Sequence, residues 1–130
     1  MIACERLVNY SDELPKEDDF GQKQVNEEWP STGDIVVRNL SISYRLDRPP
    51  ALIDLNLSIK SGEHIGIVGR TGAGKSTIIS AFFRLYNAAT LGSISIDGVD
   101  ISQIPLKTLR RRLAIIPQDP ILFSGSVRSN

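Results

Sequence analysis

The sequence predicts an α/β fold: an antiparallel β layer, then part of a parallel core sheet that carries a helix entered through a phosphate-binding loop. Three observations lead there. Gly69-Arg70-Thr71-Gly72-Ala73-Gly74-Lys75-Ser76, with Thr77 following, has the spacing G-x-x-x-x-G-K-[ST] of a loop that holds phosphate. Ahead of it, His64-Ile65-Gly66-Ile67-Val68 is a short apolar run of strand length, suited to a strand buried on both faces. Behind it, Ser76 to Tyr86 sets Ile78, Ile79, Phe82, Phe83 and Leu85 along one side of a helix. A glycine-rich turn before an ordinary helix is the bland alternative, and strand, loop and helix in this order argue against it.

The remaining elements follow in chain order. Residues 1–33 are acidic and broken by Pro15, Gly21, Pro30 and Gly33, so they read as a linker with a short helical start at Cys4 to Tyr10. Trp29 is the aromatic expected to dock, packing that linker onto the domain that begins at Asp34. Ile35 to Tyr44 is β-branched and alternates from Val37 onward, with Val37, Asn39, Ser41 and Ser43 opposing Arg38, Leu40, Ile42 and Tyr44. After a turn through Pro49-Pro50, Leu52 to Lys60 returns as a strand with Ile53, Leu55, Leu57 and Ile59 on one face. Asn87 to Gly92 reads as a loop, Ser93 to Ile96 as a strand, and Asp97-Gly98 as a hairpin turn. Pro105 opens a short helix through Arg112, whose Arg110, Arg111 and Arg112 are expected to be a solvated face. Leu113-Ala114-Ile115-Ile116 is a second buried-strand run, ended by Pro117.

Composition narrows the function classes. Residues 1–30 carry eight acids against Arg6, Lys16 and Lys23, a net of −5, so with 15 basic and 15 acidic residues overall the remainder holds +5. So small a surplus gives no reason to expect nucleic acid. The single cysteine, Cys4, excludes an intrachain disulfide framework. No run approaches the roughly eighteen apolar residues of a membrane span, so contact with a membrane is expected only through a larger parent.

In the phosphate loop, Gly69, Gly72 and Gly74 lack a Cβ and let the backbone turn and approach a ligand closely. The amides from Gly69 through Arg70, Thr71 and Ala73 to Thr77 then form a ring of donors, reinforced by the positive end of the helix dipole. Lys75 is placed to reach the β and γ phosphates, and the Ser76 hydroxyl to sit on Mg²⁺.

At these residues the chain resembles the nucleotide-binding domain of ATP-binding cassette (ABC) transporters. It is most similar to the second such domain of subfamily C, the multidrug-resistance-associated and yeast oligomycin-resistance type. The matching blocks are residues 62–76, 81–84, 96–101 and 115–125, with Glu5-Arg6-Leu7 and Trp29-Pro30 resembling the linker after the last membrane helix. The resemblance implies a P-loop NTPase fold, ATP and Mg²⁺ as cofactors, and residues 34–130 as the N-terminal half of the domain. It also implies that Tyr44 stacks on adenine, and that Gln118 reaches Mg²⁺ and the attacking water, making Gln118 and Lys75 the catalytic candidates. Ile121, Leu122 and Phe123 would face a transmembrane coupling helix. The implied partners are a transmembrane domain and a second nucleotide-binding domain, on the cytosolic side of a vacuolar or plasma membrane.

Residues 1–130 contain no LSGGQ-type segment, no apolar strand ending in Asp-Glu and no later catalytic histidine. Phosphoryl transfer depends on positioning and electrostatics, so without those groups the expectation for this stretch alone is at best a weak MgATP binder, nearly inert in hydrolysis. Two alternatives stay open. One is a small GTPase or kinase, although no Asn-Lys-x-Asp guanine reader is present; the other is a truncated, non-hydrolysing regulatory module.

Overall fold

In the computed structural model, residues 2–13, 17, 21–45, 47–85, 90–117 and 123–129 are described. Helix α1 spans Ile2–Glu13, longer than the short helical start expected. The strands are β1 (Ile35–Ile42), β2 (Leu52–Ile59), β3 (Thr90–Ile96) and β4 (Val99–Asp100). Helix α2 (Lys75–Phe82) follows the phosphate loop, and α3 (Leu106–Arg112) follows a 3-10 turn at Ile101–Gln103. No helix among the described residues is long and apolar enough to cross a membrane.

The four strands form one antiparallel sheet in the order β2-β1-β3-β4. Its buried face brings Val37, Leu40 and Ile42 of β1 and Ile94 and Ile96 of β3 against Ala81, Ile101, Ile104 and Leu109. The alternation expected for β1 fails at one point. Register shifts fall between Val37 and Leu40 and between Arg38 and Ser41, and Asn39 takes a left-handed φ of 47°. This bulge leaves both Arg38 and Asn39 exposed, and so puts Val37 on the same face as Leu40 and Ile42. Asp54 (φ 49°) does the same to β2: Leu55, Leu57 and Ile59 stay half-buried while Ile53 is turned out. Short polar side chains suit both sites, because each tolerates the left-handed backbone and can bond locally. The Asn39 amide donates to Asn56 Oδ1 (2.9 Å), and Asn39 Nδ2 to Asp54 Oδ1 (2.8 Å). Opposite the bulge, a Cβ on Gly92 would lie 2.4 Å from the Arg38 and Asn39 carbonyl oxygens, so only glycine lets the strands close.

The segment before β1 is fastened to this sheet. Trp29 is buried in the core, and its Nε1 donates to the Ile96 carbonyl (3.1 Å), which bears out the docking expected of it. Beside it, the Asp97 carboxylate accepts from four consecutive amides. Ser31 and Thr32 donate to Oδ2 at 2.7 and 3.0 Å, and Gly33 and Asp34 to Oδ1 at 2.8 and 2.9 Å. The Thr32 hydroxyl adds a 2.6 Å bond to Oδ1. The Asp97-Gly98 turn thus joins β3 to β4 as expected and also anchors the incoming chain.

Two expected strands do not form. Residues 64–68 and 113–116 have no ladder partner among the described residues, and Val68 is 95% and Ile116 91% exposed. An apolar run supplies the side chains for a buried parallel strand, but the strand exists only where a neighbour completes its hydrogen bonds. Helix α2 shows the same asymmetry: Thr77, Ile78 and Ala81 are buried, Ala81 within the core cluster of the sheet, while Ile79 is exposed. The expected loop before β3 is also shorter than read, since Thr90 to Gly92 belong to the strand.

Candidate phosphate-binding site

The loop takes its shape from glycines at left-handed φ, 81° at Gly72 and 85° at Gly74. Gly74 is the residue just before α2, and it offers the helix no side-chain cap. A Cβ there would lie 2.8 Å from the Ala51 carbonyl oxygen and 3.0 Å from Leu52 Cδ2, so its absence lets the loop rest against the start of β2. Gly74→Ala combines that clash with a disfavoured backbone. It is expected to cost about 1–3 kcal/mol in a denaturant melt, with part of the loss showing as a displaced loop.

Within the loop, the Ala73 amide bonds the Arg70 carbonyl (3.1 Å), and the Thr77 and Ile78 amides bond Gly74 O (3.1 and 3.3 Å). The amides of Gly72, Gly74, Lys75 and Ser76 have no acceptor among the described residues. Lys75 bends back over the loop, its Nζ donating to Gly69 O (2.7 Å) and Arg70 O (2.8 Å). An ammonium and a set of unpaired amides at a helix start make a donor array suited to an anionic, multi-oxygen ligand. The Ser76 side chain is exposed at the first turn of α2, where its hydroxyl can serve a cation held by such a ligand. Among the described residues no group of three or more His, Cys, Asp or Glu side chains could hold a metal ion unaided. The Ser76 hydroxyl, next to the loop amides, is a donor of the kind that fits a cation arriving with phosphate.

Tyr44 comes to the same place from the sheet. Its hydroxyl lies 2.6 Å from Thr77 Oγ1, and it shares an open cleft of about 1070 Å³ with Thr71, Gly72, Gly74, Lys75, Ser76 and Thr77. The sequence alone gave no sign of the contact between these two hydroxyls. Gln118, Ile121 and Leu122 lie outside the described residues, and Phe123 is exposed.

One expectation is corrected here. Of the three arginines of α3, Arg111 and Arg112 are exposed as expected, whereas Arg110 is half-buried. Arg110 bonds Phe83 O, Arg84 O and Glu17, and Arg112 bonds the Glu27 carbonyl. A run of like charges on a short helix reads as solvent-facing by default, and the carbonyls it meets come from distant parts of the chain.

Strand layer, glycine loop and helix together define a P-loop nucleotide-binding domain of the α/β class. Comparison with known proteins agrees: the family described as "ABC transporter" matches residues 52–130. The chain belongs to the ABC transporter family. It is similar over its whole length to the oligomycin resistance ATP-dependent permease of Saccharomyces cerevisiae, with 56% identity, and to the ABC-type transporter cicA of Emericella nidulans, with 52%. ABC transporter C family member 13 of Arabidopsis thaliana is 42% identical, again over 100% of this chain. The chain covers 9% of the length of each of these relatives.

Proposed function

We propose that the chain is the MgATP-binding portion of an ABC-type exporter, and that nucleotide held on loop 69–77 powers transport in the whole protein. The observation that carries this is the set of unpaired amides at Gly72, Gly74, Lys75 and Ser76 beside the Lys75 ammonium. Bound ATP would bring the phosphoanhydride whose cleavage supplies the energy, with Mg²⁺ offsetting its charge. The chain's own groups bind and orient. The loop amides grip phosphate oxygens, Lys75 neutralises the β and γ phosphates, and the Ser76 hydroxyl holds the cation. Tyr44, at the edge of the same cleft, is assigned to the adenine, and Gln118 to Mg²⁺ and the attacking water.

Residues 1–33 are then a linker from a transmembrane domain, and residues 34–130 the first half of a nucleotide-binding domain on the cytosolic face of the membrane. A second such domain is the expected partner. The words "ATP-dependent permease" in the name of the yeast relative support both the nucleotide and the transport. Titration of the purified protein with nucleotide in the presence of Mg²⁺ tests the reading. Saturable binding of ATP, stronger than that of GTP, is expected; GTP preference, or no saturable binding of either, would overturn it.

A further inference from the structure

Two parts of the chain far apart in sequence meet on one guanidinium. Arg110 Nε donates to the Phe83 carbonyl (2.9 Å) and Nη2 to the Arg84 carbonyl (3.1 Å), both at the C-terminal end of α2. The opposite edge of the same group grips Glu17, with Nη1 to Oε2 at 2.7 Å and Nη2 to Oε1 at 2.5 Å. Carbonyls past the last turn of a helix have no intrahelical donor, and a cation there also complements the helix dipole. A planar fork with five donors can serve two carbonyls and a carboxylate at once, which a lysine ammonium cannot do in that geometry.

The upstream segment is tied to the same neighbourhood at further points. The Lys23 amide donates to Gln103 O (2.9 Å), and Arg112 bonds the Glu27 carbonyl. On the α2 side, Arg84 Nη1 donates to Ile101 O (3.1 Å) and Ile104 O (2.7 Å), just before α3. Helix α2 has only eight residues, so its two ends are about 12 Å apart. A helix that short moves as a rigid piece, and its other end is the phosphate loop.

We propose that Arg110 is a positioning residue of the phosphate site: it links Glu17 in the upstream segment to the C-terminal end of α2, so that the placement of that segment sets the placement of the loop. This rests on the reading of the loop as a nucleotide site and adds a route by which that site is regulated. The Glu17 carboxyl is held below the ordinary carboxylate range, chiefly by its hydrogen bonds from Arg110, consistent with a pair that is ionised at neutral pH.

A double-mutant cycle on ATP affinity, read beside backbone hydrogen exchange, tests this. Glu17 is exposed and its own backbone is neither helix nor strand, so Glu17→Gln is expected to leave the sheet and its core in place. It is expected to weaken MgATP binding about two- to fivefold, the range of a partly exposed ion pair. Arg110→Lys should weaken it at least as much, and Glu17→Gln should then have no further effect in the Arg110→Lys background. Exchange should quicken at the amides of α2 in either variant while those of β1 and β3 stay unchanged. Affinity losses that simply multiply, or unchanged affinity and unchanged α2 exchange in a protein that binds ATP, would overturn the proposal. A wild-type protein that fails to bind ATP would instead overturn the nucleotide reading, and this inference with it.

Discussion

Asp97→Ala is expected to cost the protein about 2–4 kcal/mol of folding stability, a large share of what a small domain has. Five donors converge on this carboxylate: the amides of Ser31, Thr32, Gly33 and Asp34 and the Thr32 hydroxyl. Each bond to an ionised acceptor is stronger than a neutral one, though the contributions do not add and solvent weakens those at Ser31 and Thr32. The Ala variant leaves the more buried Gly33 and Asp34 amides without their acceptor, so a desolvation penalty joins the lost bonds. The loss should reach Trp29, whose indole is held beside this turn by the Ile96 carbonyl. A denaturant midpoint that falls with unchanged slope, together with a red-shifted Trp29 fluorescence, is the expected result; a change under 0.5 kcal/mol would count against the clasp. The pH dependence has a definite sign. The Thr32 hydroxyl first, then the amides of Thr32, Asp34 and Ser31, hold the Asp97 carboxyl far below the usual carboxylate range. A carboxyl depressed in the folded state contributes its full stability above its unfolded value of about 4, and loses it as pH falls below that toward the folded value. The wild type should therefore lose stability on acidification below about pH 4, and Asp97→Asn should show a flatter slope across the same range.

What the sequence disclosed divides along a physical line. The phosphate loop was legible because its chemistry is local: glycines that permit a left-handed backbone, a lysine and a hydroxyl at fixed offsets. The Asp97-Gly98 turn and the docking of Trp29 were legible for similar reasons, one from turn chemistry and one from the chain's single tryptophan standing in a polar stretch just before a Pro-Ser-Thr-Gly turn. The bulges at Asn39 and Asp54 were not, because the flanking residues also suit unbroken alternation and a polar residue in a strand equally suits a solvent face. Residues 64–68 and 113–116 showed the need for burial without showing a partner, and strand pairing is a property of two segments. Arg110 was hidden most completely. Nothing in Leu109-Arg110-Arg111-Arg112 says that one of three neighbouring arginines meets the carbonyls at the end of α2, since that depends on how α2 and α3 pack. In the sequence Asp97 is a turn former, and the grip of its carboxylate on residues 31–34 appears only once β3 lies beside β1.

Lys75→Ala is expected to weaken MgATP binding by about two orders of magnitude or more while changing stability by less than about 1 kcal/mol. The two effects separate because of where the ammonium sits. In the protein alone it bonds the carbonyls of Gly69 and Arg70 on an exposed loop, and water can replace those bonds at little cost. Against a triphosphate the same ammonium would face several negative oxygens in a site partly shielded from water, where charge-assisted bonds of about 1.5–3 kcal/mol each are at stake. Two such bonds account for the expected factor. The loss should also depend on the ligand. Loop amides grip any phosphate, whereas Lys75 is assigned to the β and γ groups, so the variant should bind AMP nearly as well as the wild type does while losing ATP. Lys75→Arg is the sharper control: it keeps the charge, but its rigid fork cannot follow the two carbonyls and the phosphates as a flexible ammonium does, and it should recover only part of the affinity. Equal losses for AMP and ATP would mean that the substitution had collapsed the loop rather than removed one contact, and the role given to Lys75 would then fail.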